Sequence, residues 1–158
     1  MTSLHHEIHI DAAPEAVWAV LADLPTVAAY NDGVVAARWV SQQREGVGAA
    51  RVCQLAPKGE VTEEVAVWEP NQALGLRIRS SPWPPIKSME WTTRLRTGAA
   101  NTTHVIQDLT YTVGAGPVGA LLNTLVIRRK LSASLGGVFA NLKTYVEHIE
   151  RGGCPGLR

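Results

Sequence analysis

The sequence predicts an α+β fold in which a curved antiparallel sheet of about seven strands wraps around one long C-terminal helix. Three observations predict it. The chain opens with an alternating segment, residues 4–10, followed by two short helical patterns. Six short segments, rich in part in β-branched and aromatic residues, then follow in series. From Pro117 the apolar spacing becomes helical. Because the six strand segments follow one another directly, an antiparallel meander is favoured over βαβ units.

The first strand and the helices after it follow from local pattern. In residues 4–10 the isoleucines share one face with Leu4 and His6. Pro14 stands near the first position of the next helix, where its fixed backbone angle is favourable. Pro25 ends that helix, and we expect a second short helix at about residues 26–30.

The six further strands are separated by glycine, proline and asparagine turns. Their predicted bounds are 34–41, 47–55, 60–69, 73–80, 88–97 and 102–113.

The C-terminal helix is predicted to begin at Gly116-Pro117 and to end at Gly152-Gly153. Its length would exceed the diameter of a domain of this size, so we expect a break, and Gly136-Gly137 is the natural place for it. We expect one domain over residues 1–158, with a flexible tail at 152–158.

Composition excludes several classes of protein. The 158 residues carry 15 Lys and Arg against 14 Asp and Glu, so no strong overall field favours nucleic acid or an anionic membrane. Cys53 and Cys154 show no disulfide or zinc spacing. No apolar run is long enough for stable membrane insertion, and no secretory signal is visible, so a cytoplasmic location is expected.

A curved sheet around one amphipathic helix rarely fills its own concave side. The two short helices would close one end of that space. The sequence therefore predicts an internal cavity for a small hydrophobic or aromatic molecule. No metal or other cofactor is expected.

Several stretches of the chain carry a resemblance to known proteins. They are residues 8–18, 21–23 with Tyr30, 46–52, 61–65 with 68–70, and 116–119 with 142–143 and Glu147. Together they resemble the START-like, helix-grip superfamily and, within it, the bacterial polyketide cyclase/dehydrase-like (SRPBCC) family. The likeness spans nearly the whole chain and implies the fold and a pocket. Members include aromatase/cyclases, lipid carriers and hormone receptors, so it implies no particular reaction.

Arg51 and Glu63 are the first candidates for a functional role. Strand alternation places Glu63 on the inner face, and the hairpin around residues 57–59 brings Arg51 opposite or diagonal to it. A charge on an apolar face needs a partner, so a structural ion pair in the cavity wall is one interpretation. The alternatives are a polar anchor for a ligand, or an acid and base for enolisation, with Tyr30 as a further proton donor.

Other residues are expected to line the cavity, although core or rim packing is the alternative for each aromatic. They are Asn31, Trp39, Val65, Trp83, Trp91, Gln107, Tyr111, Leu121 and Leu125. Trp83 lies in a proline-rich segment, residues 81–86, that is either a stiff lid with Trp83 pointing inward or a rigid loop with Trp83 on the surface.

Three other motifs give weaker indications of function. His5, Glu7 and His9 alternate on the strand face opposite Ile8, so we expect them to face solvent rather than hold a metal. Residues 114–119 match G-x-G-x-x-G but lack the second parallel strand that a dinucleotide fold requires. The basic run 128–130 fits a solvated helix face, with membrane docking as an alternative.

Three functions remain open from the sequence. The first is binding of a small hydrophobic or aromatic, polyketide-like or lipid-like molecule. The second is a cofactor-independent cyclase, dehydratase or isomerase that uses Arg51, Glu63 or a tyrosine to move protons. The third is a protein-interaction module whose groove binds an apolar segment of a partner.

Overall fold

The computed structural model describes residues 1–78 and 86–153. Those residues form seven strands, and helical segments flank the sheet. The strands are β1 Thr2–Ile10, β2 Val34–Trp39, β3 Ala50–Leu55, β4 Glu60–Glu69, β5 Ala73–Ile78, β6 Ile86–Thr97 and β7 Thr103–Val113. The α-helices are α1 Pro14–Ala22, α2 Val27–Tyr30, α3 Gly116–Leu122 and α4 Arg128–Glu150. Short 3₁₀ turns cover Leu24–Thr26 and Ala99–Asn101, and a π-helical turn covers Asn123–Ile127.

All neighbouring strands are antiparallel, and their order in the sheet is β1-β7-β6-β5-β4-β3-β2. Strands β2 to β7 follow one another as a meander. β1 pairs with β7 along its whole length, from Thr2 opposite Tyr111 to Ile10 opposite Thr103. The predicted antiparallel sheet around a long C-terminal helix is confirmed.

A bulge in β4 contributes to the curvature of the sheet. Val65 pairs with Leu76 and Val67 pairs with Gly75, so β4 has one more residue than β5 at this point. Such a bulge bends the strand and increases its twist. Gly75 has no side chain here because a Cβ would lie 2.8 Å from the Val67 Cβ.

The break in the C-terminal helix is not at Gly136-Gly137, and that prediction is wrong. α4 continues through both glycines as one helix from Arg128 to Glu150. The irregularity is the π-helical turn instead. Asn123 begins that turn, accepts a hydrogen bond from the Tyr111 hydroxyl at 2.6 Å and donates one to Thr2 at 2.9 Å.

Contacts along β1 hold α4 against the sheet. The His6 ring lies 5.0 Å from the ring of Phe139, which is buried. Nearer the end of the helix, Lys143 donates a 2.8 Å hydrogen bond to the His9 carbonyl. Glu147 accepts from Lys143 at 2.6 Å and from the backbone N–H of Asp11 at 2.9 Å. The helix is therefore fixed at several points along its length.

The outer face of β1 is polar, as its alternation predicted. His5 hydrogen bonds with Asp108 at 2.8 Å, and Glu7 with His104 at 2.9 Å. His9 stacks on His104 at 4.3 Å. Each contact pairs this face of β1 with β7.

The predicted flexible tail falls mostly on residues 154–158, which lie outside the described residues, and Cys154 is among them. Within the described part of the chain, no helix has the length and apolar character needed to cross a membrane.

Substituting Gly75→Ala tests the bulge. The new methyl group would collide with the Val67 Cβ, which is fixed to the backbone and cannot swing away. We expect the free energy of unfolding to fall by about 1–3 kcal/mol in urea denaturation. Gly137→Ala is the control, because its Cβ meets open space and alanine should stabilise the helix by about 0.5–1 kcal/mol. Equal effects of the two substitutions would contradict the close approach at the bulge.

Glu147 predicts a pH dependence of stability. Burial acts to raise the pKa of its carboxyl, but the hydrogen bonds from Lys143 and Asp11 outweigh burial and hold the pKa below its ordinary value of 4.5. A lowered folded-state pKa stabilises the protein above the ordinary pKa, and that stabilisation is lost as the pH falls through the folded value. Glu147→Gln should therefore cost about 1–2 kcal/mol at pH 7 and progressively less below about pH 4.5.

Thermal or urea unfolding of wild type and Glu147→Gln across this range measures the difference. Glu45→Gln, at an exposed loop position, is the control for the change in charge. A wild-type advantage that stays constant down to pH 3 would show that the carboxylate contacts do not contribute.

Candidate ligand cavity

A cavity of about 190 Å³ lies between the concave face of the sheet, α4 and the two short helices α1 and α2. Most of its wall is apolar. Ser134 of α4 lines the cavity and is also solvent-exposed, so this part of the wall lies at the protein surface. The apolar wall residues are Leu21, Val27, Leu74, Leu76, Ile78, Met89, Trp91, Leu109, Leu131, Leu135, Val138, Phe139 and Leu142.

Arg51 and Glu63 form a buried ion pair in this wall. They stand directly opposite each other on β3 and β4, and each is less than a tenth exposed. Arg51 Nε donates to Glu63 Oε2 at 2.6 Å, and Arg51 Nη1 donates to the carbonyl of Leu24 at 2.6 Å. The pair therefore joins the sheet to the 3₁₀ turn between α1 and α2.

A single oxygen of Glu63, Oε2, makes all the contacts of this carboxylate with Arg51 and Cys53. Arg51 and the more distant Cys53 thiol, at 3.8 Å, both donate to Oε2. Among the described residues Oε1 has no hydrogen-bond partner. Since Glu63 lines the cavity, Oε1 is the carboxylate atom available to a bound molecule.

The electrostatics keep Arg51 charged and Cys53 neutral. Burial alone would lower the pKa of Arg51, but the Glu63 carboxylate beside it raises that pKa above its ordinary value. Burial raises the pKa of the Cys53 thiol to about 12, against a smaller opposing effect of Arg51. Cys53 is therefore a thiol at neutral pH and no nucleophile.

Tyr30, at the end of α2, lines the same cavity and is 5% exposed. Burial raises the pKa of its hydroxyl, and the charge of Arg51 opposes that change only in part. The hydroxyl is protonated at neutral pH, so it can donate a hydrogen bond to a carbonyl oxygen in the cavity.

Gln107 on β7 has one end of its amide without a partner. Nε2 donates to Thr93 Oγ1 at 2.9 Å, whereas the buried Oε1 has no hydrogen-bond partner among the described residues. A buried acceptor without a partner is costly, and a bound molecule with a hydroxyl or N–H group would satisfy it. An exchange of the two amide atoms would leave an unpaired donor instead, so the site is polar in either orientation.

Six of the candidate residues come together in the cavity wall. All six were expected there from the sequence, but sequence reasoning missed two other polar wall residues, Thr93 and Ser134. Thr93 had a signal, since it shares a strand face with Trp91 and stands opposite Gln107 in the sheet. The six are Tyr30, Asn31, Arg51, Glu63, Trp91 and Gln107.

The other candidates lie elsewhere. Trp39 pairs with Arg51 at the β2 edge and is half-buried, but it is not part of the cavity wall. Val65 is fully buried and is not among the residues that line the cavity. Tyr111 is buried, and its hydroxyl is bonded to Asn123 rather than directed into the cavity.

Leu121 and Leu125 differ most from expectation, since they are 61% and 59% exposed. The π-helical turn and the Asn123 anchor direct the opposite side of this helix towards the sheet.

Trp83 and residues 81–85 lie outside the described residues, so the lid and the surface-loop interpretations of that segment both remain predictions.

Comparisons with known proteins agree with this architecture. A family model described as polyketide cyclase / dehydrase and lipid transport matches residues 1–147. A search of curated protein sequences gave no match.

Solved structures give the same fold at low sequence identity. The di-domain ARO/CYC BexL from the BE-7585A biosynthetic pathway aligns with a TM-score of 0.78 and 19% identity, over 95% of this chain and 48% of that one. The chain thus spans about half the length of BexL. A START superfamily protein from Mycobacterium smegmatis aligns with a TM-score of 0.76 and 12% identity, over 93% and 98% of the two chains. A protein of Thermus thermophilus aligns with a TM-score of 0.75 and 20% identity, over 94% of this chain and 99% of that one. The START-like fold predicted from the sequence is confirmed.

Substituting Arg51→Met tests the buried pair. It leaves the Glu63 carboxylate buried without its cation, so we expect a loss of about 3–5 kcal/mol in the free energy of unfolding. The double substitution Arg51→Met with Glu63→Leu removes both charges and should cost less than Arg51→Met alone.

Arg94→Met is the matched control in urea denaturation. Arg94 pairs with Asp108 at 2.7 Å, and both side chains are about half exposed, so its loss should cost about 0–1 kcal/mol. If Arg51→Met costs no more than Arg94→Met, the buried pair does not hold the wall together.

Proposed function

The chain belongs to the polyketide cyclase / dehydrase and lipid transport family, and we propose that its cavity binds a small hydrophobic or aromatic molecule that carries at least one hydroxyl group. The observation that carries this proposal is the buried Oε1 of Gln107, which has no hydrogen-bond partner within residues 1–78 and 86–153 and lies in a largely apolar wall. A hydrocarbon would leave that acceptor unsatisfied, whereas a phenol or enol would donate to it.

The arrangement of the polar groups supports an oriented ligand. Glu63 Oε1 and Gln107 Oε1 are both acceptors, and the Tyr30 hydroxyl is a donor. A molecule with a hydroxyl group and a carbonyl group can donate to one of these acceptors and accept from the Tyr30 hydroxyl. Its rings would meet apolar wall residues such as Leu76, Trp91 and Phe139.

Size restricts the ligand further. A volume of about 190 Å³ lies below the range of about 300–1,000 Å³ that is usual for drug-sized ligands. One or two fused rings are therefore a better match than a long polyketide or an acyl lipid. The unpaired polar atoms favour a compact phenolic or enolic compound within that size.

Isothermal titration calorimetry with 2-naphthol and naphthalene tests the proposal. We expect 2-naphthol to bind about five-fold or more tightly, as one buried hydrogen bond predicts. Gln107→Leu should abolish most of this preference and leave naphthalene affinity unchanged or higher. Gln72→Leu, at an exposed position, is the matched control. Equal affinities of the two compounds for the wild type, or no binding of either, would contradict the proposal.

Acid/base catalysis in the same cavity is the second candidate. Glu63 Oε1 has no hydrogen-bond partner in the described part of the chain, and the protonated Tyr30 hydroxyl lines the same cavity, which together favour this candidate. Glu63 would take a proton from a carbon next to a ketone as the C–H electrons move into the new C=C bond. The carbonyl π electrons would move to oxygen, and Tyr30 would donate its proton there, giving the neutral enol.

Proton exchange detects this step without the natural substrate. We expect the protein to accelerate deuterium incorporation next to the carbonyl of 2-tetralone in D₂O, followed by NMR. Glu63→Gln should remove the acceleration, and Tyr30→Phe should reduce it by about 100-fold or more. The binding constant for 2-tetralone should change much less. Exchange at the buffer rate with wild-type protein that binds 2-tetralone would leave binding alone as the function.

A further inference from the structure

An exposed apolar stripe runs along α3 and the π-helical turn. Five large apolar side chains there are between 38% and 74% exposed. They recur at intervals of three and four residues, which places them on one side of a helix. They are Val118, Leu121, Leu122, Leu125 and Val126.

This stripe cannot turn inward, because the opposite side of the same helix is already anchored. Gly119 is buried, and a Cβ on it would overlap the carbonyl oxygen of Gly114. Asn123 is bonded to Tyr111 and Thr2, and Ile127 packs against the core. The apolar side chains are thus held on the outer surface of the fold.

Three positively charged residues follow the apolar stripe in the sequence. Arg128, Arg129 and Lys130 are exposed, and within the described residues none of them forms a salt bridge. The same spacing of three and four residues that relates Leu121 to Leu125 continues to Arg129. Between Asp108 and Glu147 the sequence contains no acidic residue. The overall charge of +1 therefore conceals a locally cationic face.

We propose that this surface, residues 118–130 and called here the α3 face, docks reversibly on an anionic phospholipid bilayer with the helix lying in the membrane plane. An apolar stripe gains by entering the boundary between headgroups and acyl chains, and adjacent cations gain from anionic headgroups. Peripheral docking of this kind requires no membrane-spanning segment.

Charge decides between a bilayer and a second copy of the chain. In a two-fold dimer through the α3 face, Arg128 to Lys130 of each copy would lie on the same interface, and this part of the chain supplies no acidic residue to neutralise them. An anionic bilayer supplies the opposite charge over the whole face.

Part of the cavity wall lies close to this face. Leu131 and Ser134, which line the cavity, follow Lys130 within about one helical turn. A docked protein would therefore hold this side of the cavity near the bilayer, where apolar molecules dissolve. The docking surface itself does not depend on the ligand proposed above.

Vesicle co-sedimentation of the full chain tests the proposal. We expect binding to phosphatidylcholine vesicles that contain phosphatidylglycerol, and much weaker binding to phosphatidylcholine alone. Arg129→Gln with Lys130→Gln should weaken binding about five-fold per cation removed and reduce its salt dependence. Leu121→Gln with Leu125→Gln should weaken vesicle binding by at least ten-fold, since two apolar side chains that would enter the bilayer are lost.

Two matched controls use exposed residues elsewhere. Val35→Gln with Val47→Gln changes apolar side chains that are 67% and 61% exposed, and Arg38→Gln with Arg44→Gln removes two cations at exposed positions on and after β2. These variants should bind vesicles like the wild type. Because all the substituted positions are exposed, every variant should keep the wild-type unfolding midpoint and its affinity for 2-naphthol.

Three results would overturn the proposal. Absence of wild-type binding to the anionic vesicles is the first, and equal losses in the α3 and control variants is the second. The third is a dimer in sedimentation velocity that Leu121→Gln with Leu125→Gln dissociates without any effect on vesicles, since that would assign the face to a second copy. Failure of 2-naphthol binding with vesicle binding intact would contradict the proposed ligand and leave the docking face standing.

Discussion

The hydrogen-bonded ion pair between Arg51 and Glu63 holds together the parts of the molecule that make the cavity. Arg51 extends from β3 to the carboxylate on β4 and to the carbonyl of Leu24 beyond the sheet. A guanidinium group can make all of these bonds at once because its donors lie in a rigid plane. The same residue thus links the cavity wall to the α1–α2 region that closes one end.

The ion pair also determines which polar atoms remain available. Oε2 of Glu63 accepts hydrogen bonds from Arg51 and Cys53, whereas Oε1 accepts none from the residues that the structure describes. Tyr30 is buried close enough to Arg51 to be affected by its charge. Further along the wall, Gln107 Oε1 has no partner among the described residues. A small number of unpaired polar atoms in an apolar enclosure is the arrangement by which proteins orient a ligand that burial of surface area alone would hold loosely.

Much of the fold and part of the site could be predicted from the sequence, because alternation and helical spacing record which side chains are buried. The Arg51–Glu63 pairing followed from strand alternation and one hairpin. The position of Leu121 and Leu125 did not, because their spacing fits a core-facing helix and only the tertiary bonds of Asn123 show which side is anchored. Gly136-Gly137 misled for a similar reason: glycine permits a kink but does not cause one. Strand bulges and the unpaired Gln107 oxygen depend on register, which local sequence does not specify.

The most direct test of this account is the anomalous diffraction of crystals grown with 6-bromo-2-naphthol. The account predicts a bromine peak inside the cavity near the apolar wall, with the hydroxyl oxygen within hydrogen-bond distance of Gln107 or Glu63. A bromine peak only outside the cavity, or a ligand whose hydroxyl avoids both residues, would contradict it.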